Sequence, residues 1–383
     1  MQIRFLLSFL RVLTNKFASD NFIISISTHN NRVLTGVIRM ELSERKKKIL
    51  EAIIAYYIRF AEPVGSRSLS RTYNFGISPA TIRNEMADLE EMGFLVQPHT
   101  SAGRIPSEKG YRFFVDELVN SKKFLKLNTG RRKFLINRLK DEKAQGIDEI
   151  IRITAQILSE ITNYTSLVFG PQVTRSAFNQ MRFMPLSNNK ALMVVVTDIG
   201  LIEDKTIDLP EELNVEEVER VVEYLNKRLK GLTIDEINSD LFLRELRSEV
   251  VRKAGILDEA LSLLTQNSKL KGNIVLGGTT NILNQPEFKD MEKVKQILSI
   301  FEKEDVLIDL MSDFDDIVVR IGKENPIEEV KDCSLITASY EVHGKSLGTI
   351  GVLGPKRMNY SEVIAIVAQI ARELGLVLKH GDD

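Results

Sequence analysis

The chain has 383 residues, of which 27% are charged and 43% hydrophobic, and its formal net charge is −1. This length allows two or three domains, each with its own core, and the composition is that of an ordinary soluble protein. The single cysteine, Cys333, excludes an intramolecular disulfide framework. Because an isolated thiol fits a reducing compartment, we expect a cytoplasmic protein.

The first 39 residues are expected to be an extension that is disordered or that results from an upstream translational start. The apolar runs within residues 1–13 are too short to cross a bilayer, and Arg4 and Arg11 interrupt them. No small-residue cleavage site follows, which argues against a secretory signal. Ordered sequence is expected from Met40, where Ser43 can cap a helix.

Residues 40–115 show a pattern of helices followed by a hairpin. Amphipathic periodicity predicts a helix over residues 43–60, and a short helix over residues 66–73 precedes a turn at residues 74–76. A further helix begins at Ser78-Pro79, since serine can cap the free backbone N–H groups and proline fits the first helical position. We expect Gly93 to end this helix.

Two short extended runs, residues 94–97 and 104–106, follow this helix and enclose a tip of small and polar residues. This order of elements predicts a winged helix-turn-helix domain, whose helix beginning at Pro79 would enter the major groove of DNA. We expect Gly103 to supply an unusual backbone angle to the hairpin.

The helix beginning at Pro79 carries the residues predicted to recognise bases, which are Thr81, Arg83 and Asn84. Arginine can bind guanine and asparagine can bind adenine through paired hydrogen bonds, each worth about 1–3 kcal/mol of discrimination. An ion pair between Arg83 and a glutamate such as Glu90 is the alternative that the sequence leaves open.

Phosphate contacts are predicted from the basic and polar side chains around this helix and at the hairpin tip, because positive charge supplies most of the affinity for DNA. The predicted residues are Arg67, Arg71, His99, Thr100, Ser101, Arg104 and Lys109. A plain solvent-exposed tip would explain His99 equally well.

The charge is distributed unevenly along the chain. Lys and Arg outnumber Asp and Glu in residues 1–140, whereas Asp and Glu predominate in residues 141–383. A basic front end fits a polyanion and the acidic remainder fits a regulatory or assembly body, although solvated basic helices would give the same pattern. Residues 116–146 are interpreted as a basic helical linker between the two parts.

Beyond the linker, strands and helices interleave on both sides of a purely helical run. The strand-containing parts are residues 147–209 and 269–383, and the helical run covers residues 210–268. The sequence therefore predicts a multidomain α+β protein whose α/β domain is interrupted by a helical insert.

Enzyme signatures are weak, so no catalytic, metal-binding or cofactor-binding residues are predicted. The four histidines lie far apart in the sequence and are not spaced as metal ligands. The acidic residues between Asp309 and Asp316 favour a solvated loop over a cation site, and Gly277-Gly278 favours a turn over a phosphate cradle.

Several blocks of the sequence together resemble the bacterial heat-inducible transcription repressor family HrcA. In the front part the resemblance covers SPATIRNEMADLEEMGFLVQPHTSAGRIPSEKGYRFFVDELV. Further blocks are GGTTNILNQPEF, ENP, DCSLITASY and GTIGVLGPKRMNY. The resemblance covers residues 40–380 and leaves residues 1–39 outside the family pattern.

The resemblance implies a winged-helix head, a GAF-like domain formed by residues 147–209 and 269–383, and an inserted dimerising subdomain at residues 210–268. It also implies repression of chaperonin and chaperone operons by a homodimer on double-stranded DNA, at an inverted-repeat operator called CIRCE. A GroEL-type chaperonin would keep the repressor active, and no membrane is involved. Two alternatives remain at this point: a transcription factor gated by a small ligand in the GAF-like domain, and an enzyme with an appended DNA anchor.

Overall fold

The computed structural model describes residues 22–23, 27–29, 32–34, 39–40, 42–99, 102–121, 137–138, 146–172, 175–186, 190–200, 202–208, 215–237, 239, 274–288, 290–313 and 315–379. Helices and strands are numbered over this part of the chain. The protein is a mixed α+β structure with two compact units, residues 1–110 and 111–383.

The expected extension lies mostly outside the described residues. Within it the structure describes only the backbone of four short strands: β1 (Phe22–Ile23), β2 (Ser27–His29), β3 (Arg32–Leu34) and β4 (Arg39–Met40). Strand β1 pairs antiparallel with β4, and β2 pairs antiparallel with β3.

The rest of the first unit is built from helices and one short hairpin. Its elements are α1 (Glu44–Phe60), α2 (Ser66–Thr72), α3 (Pro79–Glu91), β5 (Leu95–Val96) and β6 (Ile105–Pro106). The side chain of Ser43 accepts a hydrogen bond from the backbone N–H of Lys46, which confirms the predicted cap of α1. Helix α4 (Glu108–Ser121) begins in this unit and continues into the second.

A small apolar core holds the three helices and the hairpin of the first unit together. Ile49 and Ile53 of α1, Leu69 of α2, and Phe94 beside β5 are almost completely buried. Burying such a side chain contributes about 1.5–3 kcal/mol to stability, because it removes apolar surface from water.

The second unit begins, after the part of α4 that it contains, with α5 (Ile147–Thr162) and β7 (Thr165–Phe169). The next elements are β8 (Phe178–Leu186), β9 (Lys190–Thr197), β10 (Ile202–Asp208), α6 (Val215–Leu229) and α7 (Ile234–Ile237). Of the predicted linker, residues 122–136 and 139–145 lie outside the described residues, as do residues 210–214, 238 and 240–268 of the predicted helical run.

The remaining elements of the second unit follow from residue 274. They are β11 (Ile274–Gly277), α8 (Met291–Phe301), α9 (Glu304–Met311), β12 (Val318–Ile321), β13 (Cys333–Val342), β14 (Lys345–Pro355) and α10 (Tyr360–Lys379). Short 3-10 turns at Thr279–Asn284, Pro286–Phe288, Gly322–Glu324 and Glu328–Val330 lie between them.

A five-stranded antiparallel sheet in the order β11-β7-β14-β13-β12 forms the centre of the second unit. Helices α5 and α10 contact each other and pack on one face of this sheet. On the opposite face, Leu167, Phe169, Leu335 and Leu353 pack with apolar side chains of α8 and α9. The sheet is therefore covered by helices on both faces.

Strands β10, β9 and β8, in that order, form a second sheet whose described strands pair only with each other and not with the five-stranded sheet. Its buried residues Ala191, Met193 and Val195 pack against Val218 and Leu225 of α6. The sequence predicts that these strands belong to the α/β domain, within residues 147–209, and that the helical insert begins at residue 210. Period-two alternation predicts a strand but does not say which sheet it joins.

The pairing of β7 with β11 shows where the chain leaves the main sheet and where it returns. Phe169, the last residue of β7, is the cross-strand partner of Ile274, the first residue of β11. Everything between these two neighbouring strands, residues 170–273, is therefore an insertion into the five-stranded sheet. It includes the three-stranded sheet together with α6.

Arg112 of α4 fastens this helix to the edge of the main sheet. Its guanidinium donates to Glu324 Oε1 at 2.8 Å and to the backbone carbonyl of Val319 in β12 at 2.5 Å. This contact therefore occupies one backbone carbonyl of β12, the edge strand of the sheet.

In the described part of the chain, no helix combines the length and the apolar character needed to cross a membrane.

Candidate nucleic-acid interface

The amino-terminal end of α3 is built as the sequence predicts. The Ser78 hydroxyl oxygen accepts a hydrogen bond from the backbone N–H of Thr81 at 3.1 Å, and Pro79 takes the first helical position. Gly93, with a φ of 78°, lies just after the helix in the left-handed conformation that glycine favours. Gly76, with a φ of 66°, forms the preceding turn.

The two sides of α3 differ in the way its periodicity predicts. Ile82, Met86 and Leu89 are buried against α1 and α2. Arg83 and Asn84 are exposed, and Thr81 is partly exposed with its hydroxyl 3.0 Å from that of Ser78. The three residues predicted to read bases therefore lie on the accessible part of one helix, where their hydrogen-bonding groups can reach another molecule.

Ion pairs connect α1 to α3 beside this accessible side. The Lys46 ammonium lies 2.9 Å from both Glu85 Oε2 and Asp88 Oδ2, and Arg45 lies 3.3 Å from Glu85 Oε1. The hydrogen bonds that the Lys46 ammonium donates to Asp88 first, and then to Glu85, raise the pKa of Lys46. These pairs have no signal in the sequence, since only the packing of α1 on α3 brings together residues that lie about 40 positions apart.

The β5–β6 hairpin is joined to the turn before α2. Backbone hydrogen bonds link Val64 and Arg104 in both directions, at 3.0 Å from Val64 N–H and 2.9 Å from Arg104 N–H. Gly103 lies so close to Val64 that a Cβ atom would overlap the Val64 backbone. The prediction that Gly103 supplies an unusual backbone angle was therefore wrong: its φ is not positive, and a close backbone approach explains the glycine.

Two of the basic residues predicted to contact phosphate have partners within the protein. Arg104 donates from Nε to Glu90 Oε2 at 2.8 Å, and its Nη2 lies 2.7 Å from the same oxygen. The Lys109 ammonium donates to the Met92 carbonyl at 2.7 Å and lies 4.6 Å from the centre of the Phe94 ring. The ion pair considered for Glu90 therefore forms with Arg104 and not with Arg83.

The remaining predicted phosphate contacts lie on α2 and at the tip of the hairpin. Arg67 and Arg71, one helical turn apart on α2, are both exposed, and so is His99. The tip is partly organised by a hydrogen bond from the Gln97 amide to the Ala102 carbonyl at 2.9 Å. Thr100 and Ser101 lie outside the described residues.

The exposed residues predicted to contact DNA on α2 and α3 are Arg67, Arg71, Arg83 and Asn84, whose side chains are hydrogen-bond donors and, for the arginines, cations. Guanidinium and amide groups can bind phosphate oxygens and base edges, whereas they lack the paired titratable groups that acid–base catalysis requires. Within the described ranges, no group of three or more His, Cys, Asp or Glu residues could hold a metal ion.

Comparison with known proteins gives a consistent family. A family model described as the HrcA protein C-terminal domain matches residues 148–364. A heat-inducible transcription repressor HrcA from Natranaerobius thermophilus is 55% identical over 340 residues, covering 88% of this chain and 98% of the relative. The protein of the same name from Pelotomaculum thermopropionicum is 43% identical over 345 residues, covering 89% of this chain and 98% of the relative.

A solved crystal structure of a hypothetical protein has a related fold. It superposes with a TM-score of 0.57 at 23% sequence identity, and the match covers 89% of this chain and 100% of that one. At this level of identity the likeness concerns the fold alone.

Proposed function

Because this chain belongs to the HrcA family of heat-inducible transcription repressors, a family without enzymatic activity, we propose that it represses transcription by binding double-stranded DNA through residues 42–110. The observation that carries the proposal is the exposed polar side of α3, held by ion pairs to α1 and flanked by the β5–β6 hairpin. This arrangement supports a winged helix-turn-helix in which α3 enters the major groove and the hairpin is the wing.

Thr81, Arg83 and Asn84 read base edges in this proposal, since they are the hydrogen-bonding side chains on the accessible part of α3. Arg67 and Arg71 contact phosphates on one side of that helix, and the hairpin tip with His99, Thr100 and Ser101 approaches the backbone or minor groove on the other. Lys109 is the weakest of the proposed phosphate ligands, because its ammonium already has partners in the protein.

The operator in this proposal is the CIRCE inverted repeat, and two copies of the chain bind its two arms. A two-fold symmetric protein matches the symmetry of an inverted repeat, so each head meets an equivalent half-site. The insertion between β7 and β11 supplies the dimer contact, since it forms a separate folded part with its own sheet and helix.

The main sheet of the second unit, with helices on both faces, supports a GAF-like domain. A GroEL-type chaperonin in the cytoplasm binds the DNA-competent state of the repressor and keeps it populated. Heat produces unfolded proteins that occupy the chaperonin, so the competent state loses its partner and transcription rises. This mechanism is a population shift, because a ligand that binds one state alone stabilises that state.

Footprinting on the promoter of the organism's own chaperonin operon tests the proposal, with purified protein and with or without purified chaperonin. We expect protection of both arms of the inverted repeat, stronger with chaperonin present. Protection of random sequence to the same extent would contradict the repressor function. A ligand-induced rise in melting temperature without chaperonin, coupled to altered protection, would instead favour gating by a small molecule.

A further inference from the structure

We propose that Arg104 is a positioning residue for the β5–β6 hairpin and that its guanidinium acts through Glu90 instead of contacting phosphate. The inference rests on the proposed DNA-binding function of the first unit and assigns one of its basic residues a different task. Glu90, an acidic residue on the helix proposed to enter the groove, becomes part of the DNA-binding machinery through this pair.

The position of Arg104 in the chain supports this role. Its backbone pairs with Val64 in both directions, which joins the returning strand of the hairpin to the turn before α2. Its side chain reaches Glu90 in the last turn of α3. One residue therefore connects the hairpin to the turn before α2 through its backbone and to the last turn of α3 through its guanidinium.

The environment of the guanidinium also argues against a phosphate contact. The Arg104 side chain is 19% exposed and the Glu90 side chain is 31% exposed, whereas Arg67, Arg71 and Arg83 are exposed. Two of the guanidinium nitrogens lie within 2.8 Å of Glu90 Oε2, so their donor capacity and charge are directed at a carboxylate. A partly buried pair of this kind is screened less by salt than an exposed pair.

The two possible roles of Arg104 predict opposite results when Glu90 loses its charge. If Arg104 positions the hairpin, Glu90→Gln breaks the pair and weakens binding. If Arg104 contacts phosphate, the same change releases its guanidinium and removes a negative charge facing DNA, so binding becomes tighter. The sign of the effect separates the two roles without any assumption about its size.

The experiment measures binding of the full-length chain to a duplex carrying the inverted repeat of the chaperonin promoter, over a range of salt concentrations. The variants are Glu90→Gln, Arg104→Ala, the double variant, and Arg104→Lys. All are compared well below their melting temperatures, after circular dichroism has verified that each is folded. We expect each single variant to bind about fivefold more weakly than the original protein.

The double variant should bind as weakly as either single variant, because both substitutions break the same pair. The slope of log affinity against log salt should not change, whereas loss of a phosphate contact would reduce its magnitude by about 0.9 for each of the two heads on the inverted repeat. Arg104→Lys, which keeps a cation opposite Glu90, should recover part of the lost affinity. Tighter binding by Glu90→Gln, or a reduced slope for Arg104→Ala, would overturn the inference, and unchanged affinity would show that the pair only adds stability.

Glu91→Gln is the matched control, since Glu91 is the neighbouring exposed acid on α3 and loses the same charge. It should bind as tightly as the original protein or slightly more tightly. If the original protein itself shows no preference for the inverted repeat over random DNA, the proposed function fails. If that preference holds and the variants bind normally, only the role of Arg104 fails.

Discussion

Arginine residues in the first unit differ mainly in what surrounds their guanidinium groups. Arg83 is exposed on α3, whereas Arg104 is directed at Glu90. An exposed guanidinium keeps its donors available for guanine or phosphate, and a paired one gives up part of that capacity to hold the protein in shape. Residue identity therefore does not decide the role of a basic residue in this head; its neighbours do.

Replacing Arg83 or Asn84 with alanine should reduce operator binding about tenfold, because each loses the paired hydrogen bonds that distinguish one base from another. Binding to random DNA should change much less. Competition assays with both duplexes measure the two effects in the same sample. Arg372→Ala, which removes an exposed arginine from α10, is the control. Equal losses of affinity for both duplexes would show that Arg83 and Asn84 do not recognise bases.

At the scale of elements, the contact between the hairpin and the α1–α2 turn depends on the absence of a side chain at Gly103. A Cβ atom there would overlap the carbonyl carbon, oxygen and nitrogen of Val64, all of which are backbone atoms. Backbone atoms cannot move away by a change of rotamer, as the end of a flexible side chain can. The hairpin would have to shift as a whole.

Gly103→Ala should therefore destabilise the first unit by about 1–3 kcal/mol and weaken operator binding. Thermal melting of the full chain and the operator assay measure the two effects. Gly65→Ala is a suitable control, since Gly65 has a φ of −94° and no atom within 4 Å of an added Cβ. That variant should lose less than about 1 kcal/mol. A Gly103→Ala protein that melts and binds normally would show that the hairpin is not held against Val64.

Cys333 begins β13 and lies in the apolar core between the main sheet and helices α8 and α9. Burial is the main cause that raises the pKa of this thiol to about 12. The folded state therefore keeps the thiol protonated where the unfolded chain would ionise. The stability contributed by the protonated, buried thiol is fully present below the ordinary thiol pKa. It is lost as the pH rises through the raised pKa of the folded state.

Cys333 should react with a thiol reagent at pH 8 only when this core opens, since the thiolate is the reactive form and the reagent has no access to a buried side chain. Labelling measured by mass spectrometry along a temperature ramp should follow the loss of structure measured by circular dichroism. Protein unfolded in guanidinium chloride gives the full labelling rate as a control. Rapid labelling well below the melting transition would mean that the sheet opens locally.

At the scale of the whole molecule, the main feature of the second unit is a long insertion between the neighbouring strands β7 and β11 of its five-stranded sheet. The cross-strand partners Phe169 and Ile274 lie next to each other although residues 170–273 separate them in the chain. The inserted part has a core of its own, in which α6 covers one face of the β8–β10 sheet. A deletion limited to residues 210–268 would remove α6 and leave that face uncovered.

Replacing residues 170–273 by a two-residue turn should preserve the main sheet, because β7 and β11 are already paired antiparallel as in a hairpin. If the insertion supplies the dimer contact, the shortened protein should sediment as a monomer. It should also lose cooperative binding to the complete inverted repeat, so that it binds each arm no more tightly than a single half-site. The full-length chain, measured at the same concentration, is the control, and a shortened protein that remains a dimer would place the contact elsewhere.

The sequence by itself determined the elements whose signals are local. Ser78-Pro79 and Gly93 mark the two ends of α3, and the spacing of Ile82, Met86 and Leu89 identifies its buried side. These features depend on hydrogen bonds and periodicity within a few residues, so they can be read without knowing the fold. The family resemblance, carried by several separate blocks, was confirmed by the comparisons.

Tertiary structure alone decided the relations between distant segments. It brings Arg104 into contact with Glu90 and Val64, and it places Gly103 so close to the Val64 backbone that only glycine fits. It also shows that the β8–β10 sheet is separate from the main sheet. Helix α9 was also missed, and Asp309, which was predicted to lie in a solvated loop, belongs to it. Local chemistry specifies which conformation a segment prefers, whereas packing selects which of many compatible partners each surface meets.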